Sequence, residues 1–126
     1  TSLGIIPGAG GTQNVARALG ERRAKELIMS ARSFSAEEAQ RWGLVNEVFS
    51  PDQLLHEALQ TALAIAANAP IAVRQARQAI HRGLQMSLAD GLAFEIEAYN
   101  RTVPTGDRRE GIKAFNEKRT PDFKGE

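Results

Sequence analysis

Cysteine is absent from this 126-residue chain, and histidine occurs only at His56 and His81, far apart in sequence. The first absence excludes disulfides and thiolate metal ligands, and the second argues against a zinc site. A charge excess of either sign is also missing. Sixteen basic side chains oppose fifteen acidic ones, a formal charge of +1, which makes no electrostatic case for a nucleic-acid or membrane partner. No apolar run approaches the ~20 residues that would span a bilayer, so a soluble chain is expected, and the lack of cysteine fits a cytoplasmic one. The opening Thr1-Ser2-Leu3 has neither the charge nor the apolar run of a secretion signal. With threonine rather than methionine first, it reads as an internal cut.

What the chain does have is a glycine-rich stretch at residues 3–13, Leu-Gly-Ile-Ile-Pro-Gly-Ala-Gly-Gly-Thr-Gln. A short apolar run breaks at Pro7 into Gly8, Gly10 and Gly11, and a helical pattern begins at about Thr12. Glycines here allow positive φ and close approach to the amide groups, and the following helix points unpaired N–H groups the same way. The local chemistry is hydrogen-bond donation. Neither nucleotide motif is met, since Gln13 stands where the dinucleotide fingerprint needs its third glycine and no Gly-Lys-Ser/Thr follows. Two readings stay open on these residues alone, a ligand-facing loop and a turn that lets a helix pack closely.

The rest is helical in pattern, and one domain is expected at this length. Short helices are predicted from Thr12 to Leu19, ended by Gly20, and from Glu21 to Ala31, with Ala24, Leu27, Ile28 and Ala31 on one face. Ser35 and Glu38 form a capping box for a helix from Ala36 to Trp42, and Gly43 stops it. Residues 44–49, Leu-Val-Asn-Glu-Val-Phe, suit a short strand or an extended loop. Ser50-Pro51-Asp52-Gln53 repeats the capping logic before a long helix striped by Leu54, Leu55, Ala58, Leu59, Ala62 and Ala66. Pro70 opens the next helix, to Gly83, with Ile71, Ala72, Ala76, Ala79 and Ile80 inward. Ser87 opens another through Leu88, Leu92, Ile96 and Tyr99, and a last helix runs from Asp107 to about Lys118 with Ile112 and Phe115 on one side. The tail from Arg119 is polar and extended. With one strand at most, this is too little sheet for an α/β domain of its own.

The string Gly-Ile-Ile-Pro-Gly-Ala-Gly-Gly-Thr-Gln from Gly4 to Gln13 closely resembles the segment of the crotonase superfamily, the enoyl-CoA hydratases and isomerases, that follows a catalytic glutamate. Further blocks resemble that family in its own order: Lys25-Glu-Leu-Ile, Ser35-Ala-Glu-Glu-Ala39, Gly43-Leu-Val-Asn46, Ala69-Pro70, and the closing run from Arg108 through Glu110, Gly111, Ala114, Phe115, Glu117, Lys118 and Arg119 to Pro121 and Phe123. The closing block is most similar to bacterial enoyl-CoA hydratases and the methylglutaconyl-CoA hydratase branch. Asn14 departs from the arginine common after Thr-Gln.

The resemblance implies a mostly α chain that forms the C-terminal part of an α/β fold, a spiral of ββα units followed by a helical trimerisation region. Residues 1–50 would end the spiral, and residues 51–126 would form the helices that trimerise and cover CoA. It implies hydration of the α,β double bond of an acyl-CoA thioester, without a cofactor because CoA is part of the substrate. Two glutamates supply base and acid there, and backbone amides stabilise the enolate oxygen, one such donor typically being worth ~10²–10³ in rate. By the same resemblance, both glutamates and both amides precede Thr1, so the chain alone would be inactive. Its partners would be acyl-CoA, the N-terminal half of the same enzyme, and further copies in a trimer or dimer of trimers.

Three positions match the family's functional residues. Gly8 would offer its amide to the catalytic water, with a plain turn glycine as the alternative. Phe115 and Lys118 would approach CoA, the lysine pairing with a phosphate near the adenine; at i, i+3 they share a helix face, though a core phenylalanine and a solvated lysine would look the same. Arg22, Arg23 and Lys25, and likewise Arg74, Arg77 and Arg82, read as solvated faces rather than phosphate patches. His81 reads as surface or interface. Glu95 and Glu97 cannot face each other on a helix, and Glu37 with Glu38 serves the cap. An enoyl-CoA isomerase or another acyl-CoA hydratase of the same superfamily is the alternative enzyme, and a helical assembly or RNA-binding module the alternative of another class, testable by salt-dependent RNA binding.

Overall fold

The computed structural model describes residues 1–126 as seven α-helices with no β-strand. They are α1 (Gly11–Leu19), α2 (Glu21–Ser30), α3 (Ala36–Trp42), α4 (Pro51–Ala66), α5 (Pro70–Gly83), α6 (Leu88–Thr102) and α7 (Gly106–Glu117). The chain divides into two compact units, Thr1–Leu55 and His56–Glu126, with the boundary inside α4.

Local capping chemistry decides where these helices begin. Ser35 Oγ accepts from the Glu38 amide at 3.2 Å while the Glu38 carboxylate accepts from the Ser35 amide at 3.0 Å, the reciprocal box expected from the sequence. Ser87 Oγ takes the Asp90 amide at 3.2 Å, Thr105 Oγ1 takes the Arg108 amide at 3.1 Å, and Pro70 occupies the first turn of α5. At α4 the expected cap takes another form. The Ser50 hydroxyl donates to Gln53 Oε1 at 2.9 Å, and it is the Ser50 carbonyl that accepts from Gln53 and Leu54.

The strand considered for residues 44–49 does not form. A strand needs a neighbour to satisfy its amides and carbonyls, no other strand is present to pair with this one, and its first amide is already engaged. The Leu44 amide returns to the Ala39 carbonyl at 2.8 Å across the left-handed Gly43 cap, and Gln40 Nε2 donates to Glu47 Oε2 at 2.9 Å.

Within the first unit α1 packs on α2, and Ala24, Leu27 and Ala39 are buried. Phe34 lies against the Trp42 ring, with the Arg23 and Arg32 guanidinium groups about that indole at 5.3 and 5.2 Å. Within the second unit α5 packs on α6, and Ala98 and Ala114 are the buried apolar residues. The apolar stripes read from the sequence are therefore present but uncovered. No residue of α4 is buried, Leu88 of α6 is 79% exposed, and of the α5 residues expected inward only Ile71 and Ala79 are partly covered.

Candidate functional site

Pro7 and the glycines after it build a tight turn that delivers α1. The Gly11 amide donates to the Gly8 carbonyl at 2.8 Å, Ala9 and Gly10 both take left-handed φ values of 50° and 80°, and the Gln13 and Asn14 amides return to the Gly10 carbonyl. The glycines have different reasons to be there. Gly10 serves the positive φ, whereas a Cβ on Gly11 would meet Pro7 Cβ at 2.8 Å, so only glycine lets the turn close. At Gly8 neither reason applies, because a Cβ would enter open space and φ is not positive. Its amide finds no acceptor within the chain and lies on an exposed loop, as do the amides of Ala9 and Gly10. Thr1 Oγ1 ties this loop to α2 by donating to the Ile28 carbonyl at 2.8 Å. A cavity of about 260 Å³ lies in the same unit, lined by Pro7, Val15, Leu27, Ile28, Ala31 and Phe34 among others.

Phe115 and Lys118 belong to the second unit. The Phe115 ring is 83% exposed. Lys118 is not on the helix but caps it, at φ 54° and ψ 40°, with its amide donating back to the last turn. The shared helix face expected from i, i+3 spacing is thus replaced by a helix end. No carboxylate pairs with the exposed Lys118 ammonium.

The residues that hold this end in place were not singled out by spacing. Arg119 grips Glu110 with both terminal nitrogens, at 2.6 and 2.9 Å, and reaches Glu117 through Nε at 2.6 Å. The Asp122 amide donates to the same Glu110 carboxylate at 2.9 Å. Arg119 first, and then the Asp122 amide, hold the Glu110 carboxyl at about 2 against an ordinary 4.5, and the Arg119 guanidinium is pushed further up. Asp107, only 3% exposed, accepts from the Lys124 and Gly125 amides at 2.7 and 2.9 Å. Phe123 packs over Gly111, where an added Cβ would meet its ring at 3.5 Å. The polar tail therefore folds back along α7 rather than extending freely. Pairs nine to eighteen residues apart carry no helical periodicity, so spacing could not reveal them.

No group of His, Cys, Asp or Glu side chains is placed to hold a metal ion. The carboxylates Glu110 and Asp107 act as acceptors for Arg119 and for amides of the tail. Around these positions the chain offers a ligand the unpartnered amides of the Gly8 turn and, at the end of α7, an exposed aromatic residue and an ammonium with no carboxylate partner.

All of residues 1–126 match the family model described as enoyl-CoA hydratase/isomerase. The chain is 46% identical to human mitochondrial methylglutaconyl-CoA hydratase, an alignment covering 100% of this chain and 38% of that protein. It is 45% identical to 2,3-dehydroadipyl-CoA hydratase of Escherichia coli, covering 98% of this chain and 49% of that one. Among solved structures, the enoyl-CoA hydratase of Bacillus anthracis superposes with a TM-score of 0.95 at 51% identity, over 99% of this chain and 48% of that one. The chain thus spans about half the length, or less, of the relatives it matches.

Proposed function

Because the chain belongs to the enoyl-CoA hydratase/isomerase family, we propose that it forms the helical, CoA-facing half of an enzyme that adds water across the α,β double bond of an acyl-CoA thioester. The observation that carries this reading is the Gly8 amide, a donor on an exposed turn that is spent on nothing inside the chain. Donating to the oxygen of the attacking water, it would fix that water for a carboxylate base. Preorganised donors of this kind need no rearrangement as charge develops.

Residues 1–126 offer no carboxylate pair for the acid and base roles, so both would come from the remainder of the enzyme, as would the amides that bind the enolate oxygen. Residues 1–50 would complete the spiral core, and residues 51–126 would provide trimer contacts and the cover over CoA. Phe115 would lie against the nucleotide end of CoA, and Lys118 would pair with its phosphate. The exposed Lys118 ammonium, which has no carboxylate partner in the chain, supports that role.

The test is kinetic, on the complete enzyme with crotonyl-CoA. Lys118→Ala should raise KM about tenfold with kcat retained, as expected for one charge-assisted phosphate contact. Gly8→Pro, which deletes the amide, should lower kcat about 10²-fold or more, while Gly8→Ala should leave it near wild type. Unchanged KM in the first variant and unchanged kcat in the second would remove both residues from the site.

A further inference from the structure

Helix α5 departs from the charge balance of the whole chain. It carries Arg74, Arg77, His81 and Arg82 and no acidic residue, whereas basic and acidic side chains over the whole chain are matched to within one. A basic residue in the last turn is favoured by the helix dipole, which accounts for His81 and Arg82. Arg77 and Arg74 lie further back, outside its reach. Arg74 and Arg77 stand at i, i+3, and Arg77 and His81 at i, i+4, spacings at which like charges repel when both are charged. None of the three arginines has a carboxylate partner, although the chain forms six ion pairs elsewhere.

Arg77, Gln78, His81 and Arg82, exposed or half-exposed on one stretch of α5, border an open cleft of about 330 Å³. One of its walls is braced, since the Arg82 guanidinium rests 5.4 Å from the centre of the Phe94 ring on α6, and a held guanidinium loses less entropy when it binds. Glu95, on the same helix as Phe94, lines the separate groove with Gln75 and Tyr99 and takes no part in the cleft.

We propose that this cleft is an anion site for a phosphate-bearing ligand of the diphosphate class. Arg77 and Arg82 present fork-shaped donors suited to phosphate oxygens, with the Gln78 amide and a His81 ring N–H as further donors beside them. Two formal positive charges from the arginines call for a multiply charged anion rather than a single carboxylate. Binding relieves the repulsion along α5. The site stands apart from the hydration reading and needs neither Gly8 nor Lys118.

The probe is inorganic pyrophosphate, titrated calorimetrically into the protein in phosphate-free buffer, with CoA as a second arm. One saturable site is expected, weakening as salt rises, with affinity about tenfold lower or worse in Arg77→Gln/Arg82→Gln. Both positions are on an exposed helix face, so the variant should keep its helical circular dichroism. If CoA competes with pyrophosphate and the double variant also loses CoA affinity, the phosphate is that of the thioester ligand. If CoA does not compete, the ligand is a free phosphorylated molecule. No saturable binding, or binding equal in wild type and double variant, overturns the site.

Discussion

Acidifying a solution of this protein from neutral pH tests Glu110 before anything else in the C-terminal clasp. Its folded-state pKa of about 2 lies below the ordinary 4.5, so its contribution to stability is fully present above about 4.5 and is lost as the pH falls towards 2. Thermal midpoints of wild type and Glu110→Gln should therefore differ most near neutrality and converge on acidification between those values. A gap that stays constant with pH would mean the Arg119 grip does not hold the carboxylate in solution. Asp107 makes a different claim, because it is buried and serves two amides of the tail. Asp107→Ala strands both and should destabilise the protein by about 2 kcal/mol, readable from urea unfolding, with α7 retained and the tail released to proteolysis. At the glycine loop, Gly11→Ala should destabilise through its clash with Pro7, whereas Gly8→Ala should leave the thermal midpoint near wild type.

Helices separate what a sequence states locally from what it leaves to the rest of the fold. Ser35 and Glu38 are three residues apart and satisfy each other, so the start of α3 was legible at sight and was found where expected. Replacing Ser35 by alanine should cost about 1 kcal/mol of stability, measured by denaturant unfolding. Residues 44–49 show the opposite case, since β-branched composition cannot supply a strand with a neighbour, and their first amide is claimed by the α3 cap. Periodicity found the long helices α4, α5 and α6 to within a few residues, but not what their apolar stripes face. The candidate site divides in the same way. Gly8 was marked by its string, and its free amide is a structural addition, while the helix end at Lys118 and the clasp of Glu110, Arg119 and Asp107 depend on a tail folding back over many residues.

At the scale of the whole molecule, each unit leaves apolar helix surface uncovered. Leucines 54, 55, 59 and 63 on α4, Leu92 and Ile96 on α6, and the Leu3, Ile5 and Ile6 group are all exposed and apolar. Such surface drives association. Sedimentation of the 126-residue chain should show species heavier than its 13.7 kDa, and a monomer that melts sharply would contradict this. The resemblance to the crotonase superfamily was legible from ordered motifs, and the match over the full chain bears it out.

The measurement that bears most directly on the proposal is the rate of crotonyl-CoA hydration, compared between residues 1–126 alone and the complete enzyme containing them. Turnover by the complete enzyme, with none above buffer for the 126 residues, is the predicted result. Hydration by the 126 residues alone would contradict the assignment of acid and base to the remainder, and its absence from the complete enzyme would contradict the hydratase reading itself.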